Sequence, residues 1–353
     1  MELLTRVLDG IGPLDDAAMR AARERQDNLT KPRGSLGRLE DLGVRIAGVT
    51  GRAKPRVEKM AVFVMAADHG VVDEGVSLYP QEVTAQMVAN FVRGGAGINV
   101  LARHVGARVV VVDVGVKADV APAANLVCKK IAPGSRNIAR GPAMTREQAV
   151  AAVEAGIEVV EAELTRGLDL AATGDMGIGN TTPSSAVCAV LTGASVEAVT
   201  GRGTGLDDAG LARKCEVIRR ALEVNRPDPS DPLDVLAKVG GFEIGAIAGV
   251  ILACAAHRIP VVIDGFISGA GALIAAGLAP LAREYMIAGH LSAEPGHALL
   301  LKHLGLEPLL SLEMRLGEGT GACLGMFLMA AAAKIQSEMA TFDEAGVARA
   351  GAE

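Results

Sequence analysis

From residue 60 onward the chain alternates between two kinds of stretch. Short, mostly apolar runs of strand length occur at 60–67, 108–114, 168–173, 259–263, 285–288 and 308–312, the first of them continuous. Longer stretches of helical character separate them, at 83–93, 146–164, 207–224, 241–256 and 293–304. A run without polar alternation fits a strand buried on both faces, and regular strand–helix alternation builds parallel sheets. The pattern predicts an α/β fold: an open, mostly parallel, Rossmann-like sheet with helices on both faces and right-handed crossovers. Before residue 60 there is no strand signal. Residues 15–28 form a charged, Ala-rich helical stretch, and the apolar positions Leu36, Leu39, Leu42, Val44 and Ile46 suit an amphipathic helix over 36–50. The segment reads as a helical appendage. Residues 322–330 form another helix-forming run, and the polar tail beyond about 335 is expected to be helical and then frayed.

The polar and glycine residues gather where the strands end. Asp68-His69-Gly70 follows the first run, Gly174 through Pro183 the third, Asp264 through Gly269 the fourth, and Gly289-His-Leu-Ser292 the fifth. The last run leads to Arg315-Leu-Gly-Glu318-Gly-Thr-Gly321. In a parallel sheet these clusters share the carboxyl edge, where ligands bind. Five clusters on one edge imply a composite site.

Composition narrows the chemistry. Of 353 residues half are hydrophobic, yet there are two Tyr, six Phe and no Trp, so the core must be Ala, Val, Leu, Ile and Met. With 43 glycines, close backbone approaches and tight turns are expected. A formal charge of −6, no basic block and few stacking aromatics argue against nucleic-acid binding. The five cysteines form no CxxC and read as buried apolar residues of a reducing compartment. Neither a signal peptide nor a spanning run stands out, so a cytoplasmic protein off the membrane is expected.

Glu318 sits among glycines at a helix start, where a carboxylate can serve as a dipole partner or as a general base over a ligand. In Gly174–Thr182, Gly177 and Gly179 free the backbone, while Asn180, Thr181 and Thr182 can cap a helix or bind an anion. It is not a P-loop, since no Lys-Ser or Lys-Thr pair ends it. Thr200-Gly-Arg202-Gly203-Thr-Gly205 has the same quality, and Lys214 on the following helix could reach the same anion. Asp264 could hold ribose hydroxyls or simply form a turn. His69, His290 and His297, with Asp68, are the residues to try as metal ligands, but no tight spacing joins them. Tyr79, Pro80, Gln86 and Met87 could line a slot for a flat heterocycle, or pack a loop on the core.

Together these motifs resemble the nicotinate-nucleotide–dimethylbenzimidazole phosphoribosyltransferase family, over most of the chain. The likeness runs from Thr30-Lys-Pro-Arg-Gly-Ser-Leu-Gly37 through Ala67-Asp-His-Gly70, Pro80–Met87, Gly174–Thr182, Thr200–Gly205, Gly240-Gly-Phe-Glu-Ile244 and Asp264–Gly271 to Arg315–Gly321. The resemblance implies displacement of nicotinate from nicotinate mononucleotide by a benzimidazole nitrogen, with inversion at the anomeric carbon, in assembly of the lower ligand of cobalamin. It implies a homodimer of an α/β domain, 60–312, with a small helical domain made of 1–59 and 313–353. It makes Glu318 the general base and puts Gln86, Tyr79, Pro80 and Leu316 near the acceptor base. Gly174, Gly177, Asn180, Thr181, Arg202, Gly203, Lys214 and Ser292 would hold the phosphoribosyl phosphate, with Asp175 and Asp264 on the sugar side. No metal or cofactor is called for, because a pyridinium-linked nicotinate is already a good leaving group; alignment and removal of one proton suffice. Asp175 departs from the family pattern, where Glu is usual, and its arm is shorter by roughly 1.5 Å. The acceptor stays open at this point: adenine or a phenol could replace the benzimidazole, and a non-catalytic nucleotide-binding regulator is a further reading.

Overall fold

The computed structural model describes residues 1–203 and 205–348. Six strands, all parallel, form one sheet: β1 (Met60–Ala67), β2 (Arg108–Gly115), β3 (Leu126–Cys128), β4 (Leu170–Met176), β5 (Val261–Ile263) and β6 (Met286–Ala288), in the order β3-β2-β1-β4-β5-β6. The order reverses between β1 and β4, which opens a crevice at their carboxyl ends.

β1 shows why its apolar run is continuous. Ala61, Phe63, Met65 and Ala67 pack into one core, with the helices Arg146–Leu164, Phe242–Ala256 and Phe266–Leu278. Met60, Val62, Val64 and Ala66 pack into the other, with residues of Arg38–Thr50, Glu82–Arg93, Gly97–Val105 and Thr320–Glu338. Successive side chains point to opposite faces, so β1, covered by a helix layer on each, has no polar position.

With so few large side chains, backbones come close. Arg146–Leu164 crosses Phe242–Ala256 glycine to glycine: a Cβ on Gly156 would lie 1.9 Å from the Ala246 carbonyl oxygen, and one on Gly249 would lie 1.9 Å from that of Val153.

Two strand expectations change. Residues 308–312 do not form a ladder; Leu310 makes a single bridge to His290, and the segment runs past the end of β6. β3 was not anticipated, being three residues long on the sheet edge. Helices not marked by period include Gly97–Val105, Pro232–Val239 and Phe266–Leu278. The last is buried almost all round, so its apolar residues show no stripe, and Phe266–Gly269 begins a helix rather than a loop.

Both chain ends are helical and meet. Asp16–Asn28, Arg38–Thr50 and Thr320–Glu338 pack together. Gln336 donates to the carbonyls of Ala22 (3.1 Å) and Ala53 (3.0 Å), and Lys31 pairs with Glu40 in a buried bridge of 2.7 Å. The anticipated frayed end, 349–353, lies outside the described residues, as does Thr204 of the Thr200–Gly205 string.

Candidate functional site

A cavity of about 490 Å³ lies at the carboxyl edge of the sheet, well within the usual range for small-molecule sites. Its wall takes Asp175 and Met176 from β4, the turn 177–181, Gly265–Ile267 after β5, His290, Ser292 and Glu294 after β6, and 315–318 before the last long helix. Val76, Tyr79, Val83 and Met87 give it an apolar side.

Glu318 is set by its backbone. It is a non-glycine residue in the left-handed region (φ 62°) between Gly317 (φ 84°) and Gly319 (φ 90°). Such a conformation costs an ordinary residue free energy and persists where its surroundings fix it. Three contacts do so. The Glu318 carbonyl lies on β4, where a Cβ on Gly174 would come within 2.5 Å of its oxygen. The Gly319 N–H donates to Asp264 (3.2 Å), whose other oxygen accepts from Ala322 N–H (2.8 Å). The Ile98 N–H, in the first turn of Gly97–Val105, donates to the Glu318 carboxylate at 3.1 Å. Burial raises the Glu318 pKa above 4.5; the Ile98 hydrogen bond opposes this, and the nearby Asp264 charge adds to it.

Asp175 faces the cavity 6 % exposed and accepts from Asn180 Nδ2 at 2.9 Å. Burial, then Asp264, pushes it from 3.8 to about 8, which favours the protonated form at neutral pH. The native state therefore binds a proton that the unfolded chain releases above 3.8. Stability contributed by this group falls as pH rises from 3.8 to about 8 and is flat beyond. Asp175→Asn removes that loss, so the melting temperature of the variant relative to wild type rises between pH 5 and pH 9. A difference independent of pH would contradict the assignment.

The opposite end suits an anion. Lys214, buried on Asp208–Asn225, donates to Thr181 Oγ1 (2.7 Å) and the Gly201 carbonyl (3.2 Å) beneath Gly203. Burial lowers its pKa to about 8, and the nearby Glu294 charge opposes this only in part. Above it open the Gly177–Asn180 turn and the N-terminus of Thr181–Thr192, which has no side-chain cap; a helix N-terminus favours anions.

Of the residues the sequence marks, Glu318, Tyr79, Leu316, Asp175, Gly177, Asn180, Thr181, Gly203 and Ser292 line the cavity. Lys214 and Gly174 lie just behind its wall. Asp264 is buried, and its carboxylate is spent on capping the helix that follows Glu318 rather than on a ligand. Arg202 turns outward to the Leu206 carbonyl (2.9 Å) and to Asp208. Pro80 and Gln86 are exposed, while Val83 and Met87, four residues apart on one helix, meet the cavity. The histidines have other roles. His69 pairs with Glu243 at 2.9 Å, both buried. His290 lines the cavity 3.7 Å from Asp264, and His297 Nδ1 accepts from Ser292 N–H at 2.9 Å. Burial, then His290, pushes His297 down to about 3, so it is neutral. Among the described residues no group of three or more His, Cys, Asp or Glu could hold a metal ion.

The sequence reading passed over Ile98, Arg315 and Glu294. Arg315 reaches toward the Gly203 carbonyl at 3.4 Å, across the cavity wall. Only Gly94–Gly97 ahead of a helical stretch hinted at the first; Glu294-Pro295 reads as an ordinary helix start.

A family model described as phosphoribosyltransferase matches residues 11–347. A nicotinate-nucleotide–dimethylbenzimidazole phosphoribosyltransferase of Desulforudis audaxviator (strain MP104C) is 77% identical over 350 residues, 99% of each chain. One of Chloroflexus aggregans (strain MD-66 / DSM 9485) is 63% identical over 347 residues, 98% of each. The crystal structure of the protein of that name from Thermus thermophilus superposes with a TM-score of 0.91 at 50% identity, covering 96% of this chain and 100% of that one. Motifs in order, a matching parallel sheet and near full-length identity converge: the chain belongs to the nicotinate-nucleotide–dimethylbenzimidazole phosphoribosyltransferase family.

Proposed function

We propose that the protein transfers the phosphoribosyl group of nicotinate mononucleotide to 5,6-dimethylbenzimidazole, giving α-ribazole 5′-phosphate and nicotinate, in lower-ligand assembly of cobalamin. The observation that carries this reading is one cavity with a buried, hydrogen-bonded carboxylate, Glu318, on its wall and a Lys214-backed N–H cradle elsewhere on it. The phosphate binds the cradle formed by the Gly177–Thr181 turn, Gly203, Ser292 and Lys214. The acceptor ring lies against Val83, Met87, Tyr79 and Leu316. Its unprotonated nitrogen attacks C1′ on the face opposite nicotinate; the new C–N bond forms as the C1′–pyridinium bond breaks, and nicotinate leaves with that electron pair. The remaining N–H proton of the benzimidazole passes to Glu318. A cationic pyridinium beside Asp175 favours its ionised form, which then opposes the positive charge that develops on the sugar.

The test is nicotinate release by purified protein with separate acceptors: 5,6-dimethylbenzimidazole, benzimidazole, adenine and p-cresol. Release with a benzimidazole and an α-riboside phosphate product supports the reading. Release only with adenine or cresol moves the acceptor, and no release with any of them overturns it. Lys214→Met should raise KM for the mononucleotide by about 10- to 100-fold, the size of a lost charged hydrogen bond, with a smaller change in kcat. An unchanged KM would remove Lys214 from the phosphate site.

We further propose a cytoplasmic homodimer. All five cysteines are free, which suits a reducing compartment, and no helix among the described residues is long and apolar enough to cross a membrane. A partner subunit would cover Tyr79 and Leu316, which are 51% and 61% exposed. Sedimentation at the mass of one chain would overturn the dimer.

A further inference from the structure

Glu294 has no part in the chemistry above, yet it lines the cavity 9 % exposed, and its Oε2 is buried without a hydrogen-bond partner. A buried carboxylate oxygen left unpaired is costly, so such a group calls for a donor. The fold makes room for it: a Cβ on Gly201 would lie 2.0 Å from that oxygen. Glu294 is also held in place, since it precedes Pro295 at the start of Pro295–Leu304 and its N–H donates to Ser292 Oγ at 3.3 Å. Lys214 is near enough for its charge to interact with Glu294, but its hydrogen bonds go to Thr181 and Gly201, and Glu294 Oε2 is left without a donor.

A carboxylate only accepts, so its ligand must donate. On the proposed function, on which this inference rests, the mononucleotide offers donors at two places only, its 2′- and 3′-hydroxyls; phosphate and nicotinate carboxylate would be repelled. Asp264, the other carboxylate considered for the sugar, is occupied by Gly319 and Ala322. We infer that Glu294 is a specificity-determining residue that accepts a hydrogen bond from a ribose hydroxyl of the mononucleotide. It selects ribosyl over deoxyribosyl substrates.

The test is a cycle of enzyme and substrate changes. Wild type, Glu294→Gln and Glu294→Ala are each assayed with nicotinate mononucleotide and with its 2′-deoxy and 3′-deoxy analogues, reading kcat/KM with 5,6-dimethylbenzimidazole as acceptor. The intrinsic reactivity of each analogue cancels when its ratio to the parent is compared between enzymes. For one of the two analogues, the ratio of parent to analogue should shrink by about 10- to 100-fold on going from wild type to Glu294→Ala, the size of a hydrogen bond to a charged partner. Glu294→Gln, nearly the same size, should shrink it by less and keep the wild-type melting temperature, which separates recognition from folding. Ratios unchanged within twofold for both analogues in both variants would overturn the inference while leaving the function intact. A wild-type enzyme inactive on nicotinate mononucleotide itself would overturn the function, and this inference with it.

Discussion

Glu318→Gln lowers kcat by about 10²- to 10⁴-fold, the usual contribution of a general base, with KM for both substrates close to wild type. The amide has nearly the volume of the carboxylate and keeps an oxygen for the Ile98 N–H, 3.1 Å from it in the native site. The left-handed backbone is held by Gly174 and Asp264, neither of which the substitution touches. What disappears is a lone pair basic enough to take the benzimidazole proton. The pH profile separates this from a packing effect. Because burial raises the Glu318 pKa above 4.5, the wild-type rate falls on the acid side at a pH above that value, as the base takes up its proton. The variant loses the part of that limb that Glu318 contributes, keeping only what protonation of the acceptor and of Asp175 imposes, and is slow throughout. A rate like wild type at neutral pH would remove Glu318 from the proton transfer.

The second large effect is structural and lies far from the cavity. Gly249→Ala adds one methyl where Phe242–Ala256 crosses Arg146–Leu164, with the Val153 carbonyl oxygen at 1.9 Å and the Gly156 Cα at 3.1 Å. Both neighbours are backbone, so no side chain can swing away, and Phe242–Ala256 also packs on β1, β2 and β4. The two helices must move apart. Overpacking ordinarily costs about 1–3 kcal/mol, and this site belongs at or beyond the upper end. Denaturant midpoints measure it, with Gly12→Ala as control: nothing lies within 4 Å of a Cβ there, and a change within about ±0.5 kcal/mol is expected. Equal midpoints for the two variants would mean that the helices do not cross this closely.

The central sheet was legible because a strand covered on both faces must be mostly apolar: 60–67 is so at every position, and 108–114 at all but Arg108 and Asp113. β3 was not, since three residues carry no pattern, and 308–312 was misread because an apolar segment passing a sheet edge has a strand's composition without its partners. Phe266–Leu278 was hidden for the opposite reason, as a helix buried all round has no polar face to set a period. Within the site, Glu318 stood out because a carboxylate between glycines is a local anomaly. The Thr181 turn and Lys214 were visible as loop chemistry next to a helix. The work of Asp264 was invisible, since its partners are more than fifty residues along the chain and both are backbone N–H groups. Gln86 was placed with Tyr79 and Pro80 by the resemblance, whereas the helical repeat gives the cavity to Val83 and to Met87, which the sequence also marked. Glu294 could not be singled out, because what distinguishes it is an empty valence in three dimensions.

The left-handed turn at Gly317–Gly319 decides when the conformational freedom of the base is lost. A glutamate on a mobile loop would have to be ordered at each encounter, and the entropy of that ordering would weaken every turnover. Here the restriction is complete before any ligand arrives. Gly174, Asp264 and the Ile98 N–H confine the residue as the chain folds, and the free energy stored in its backbone is supplied by the packing of the whole sheet. The active site thus draws on global stability: a substitution that loosens β4 or the last long helix should let the base wander, and turnover should decline before the protein unfolds.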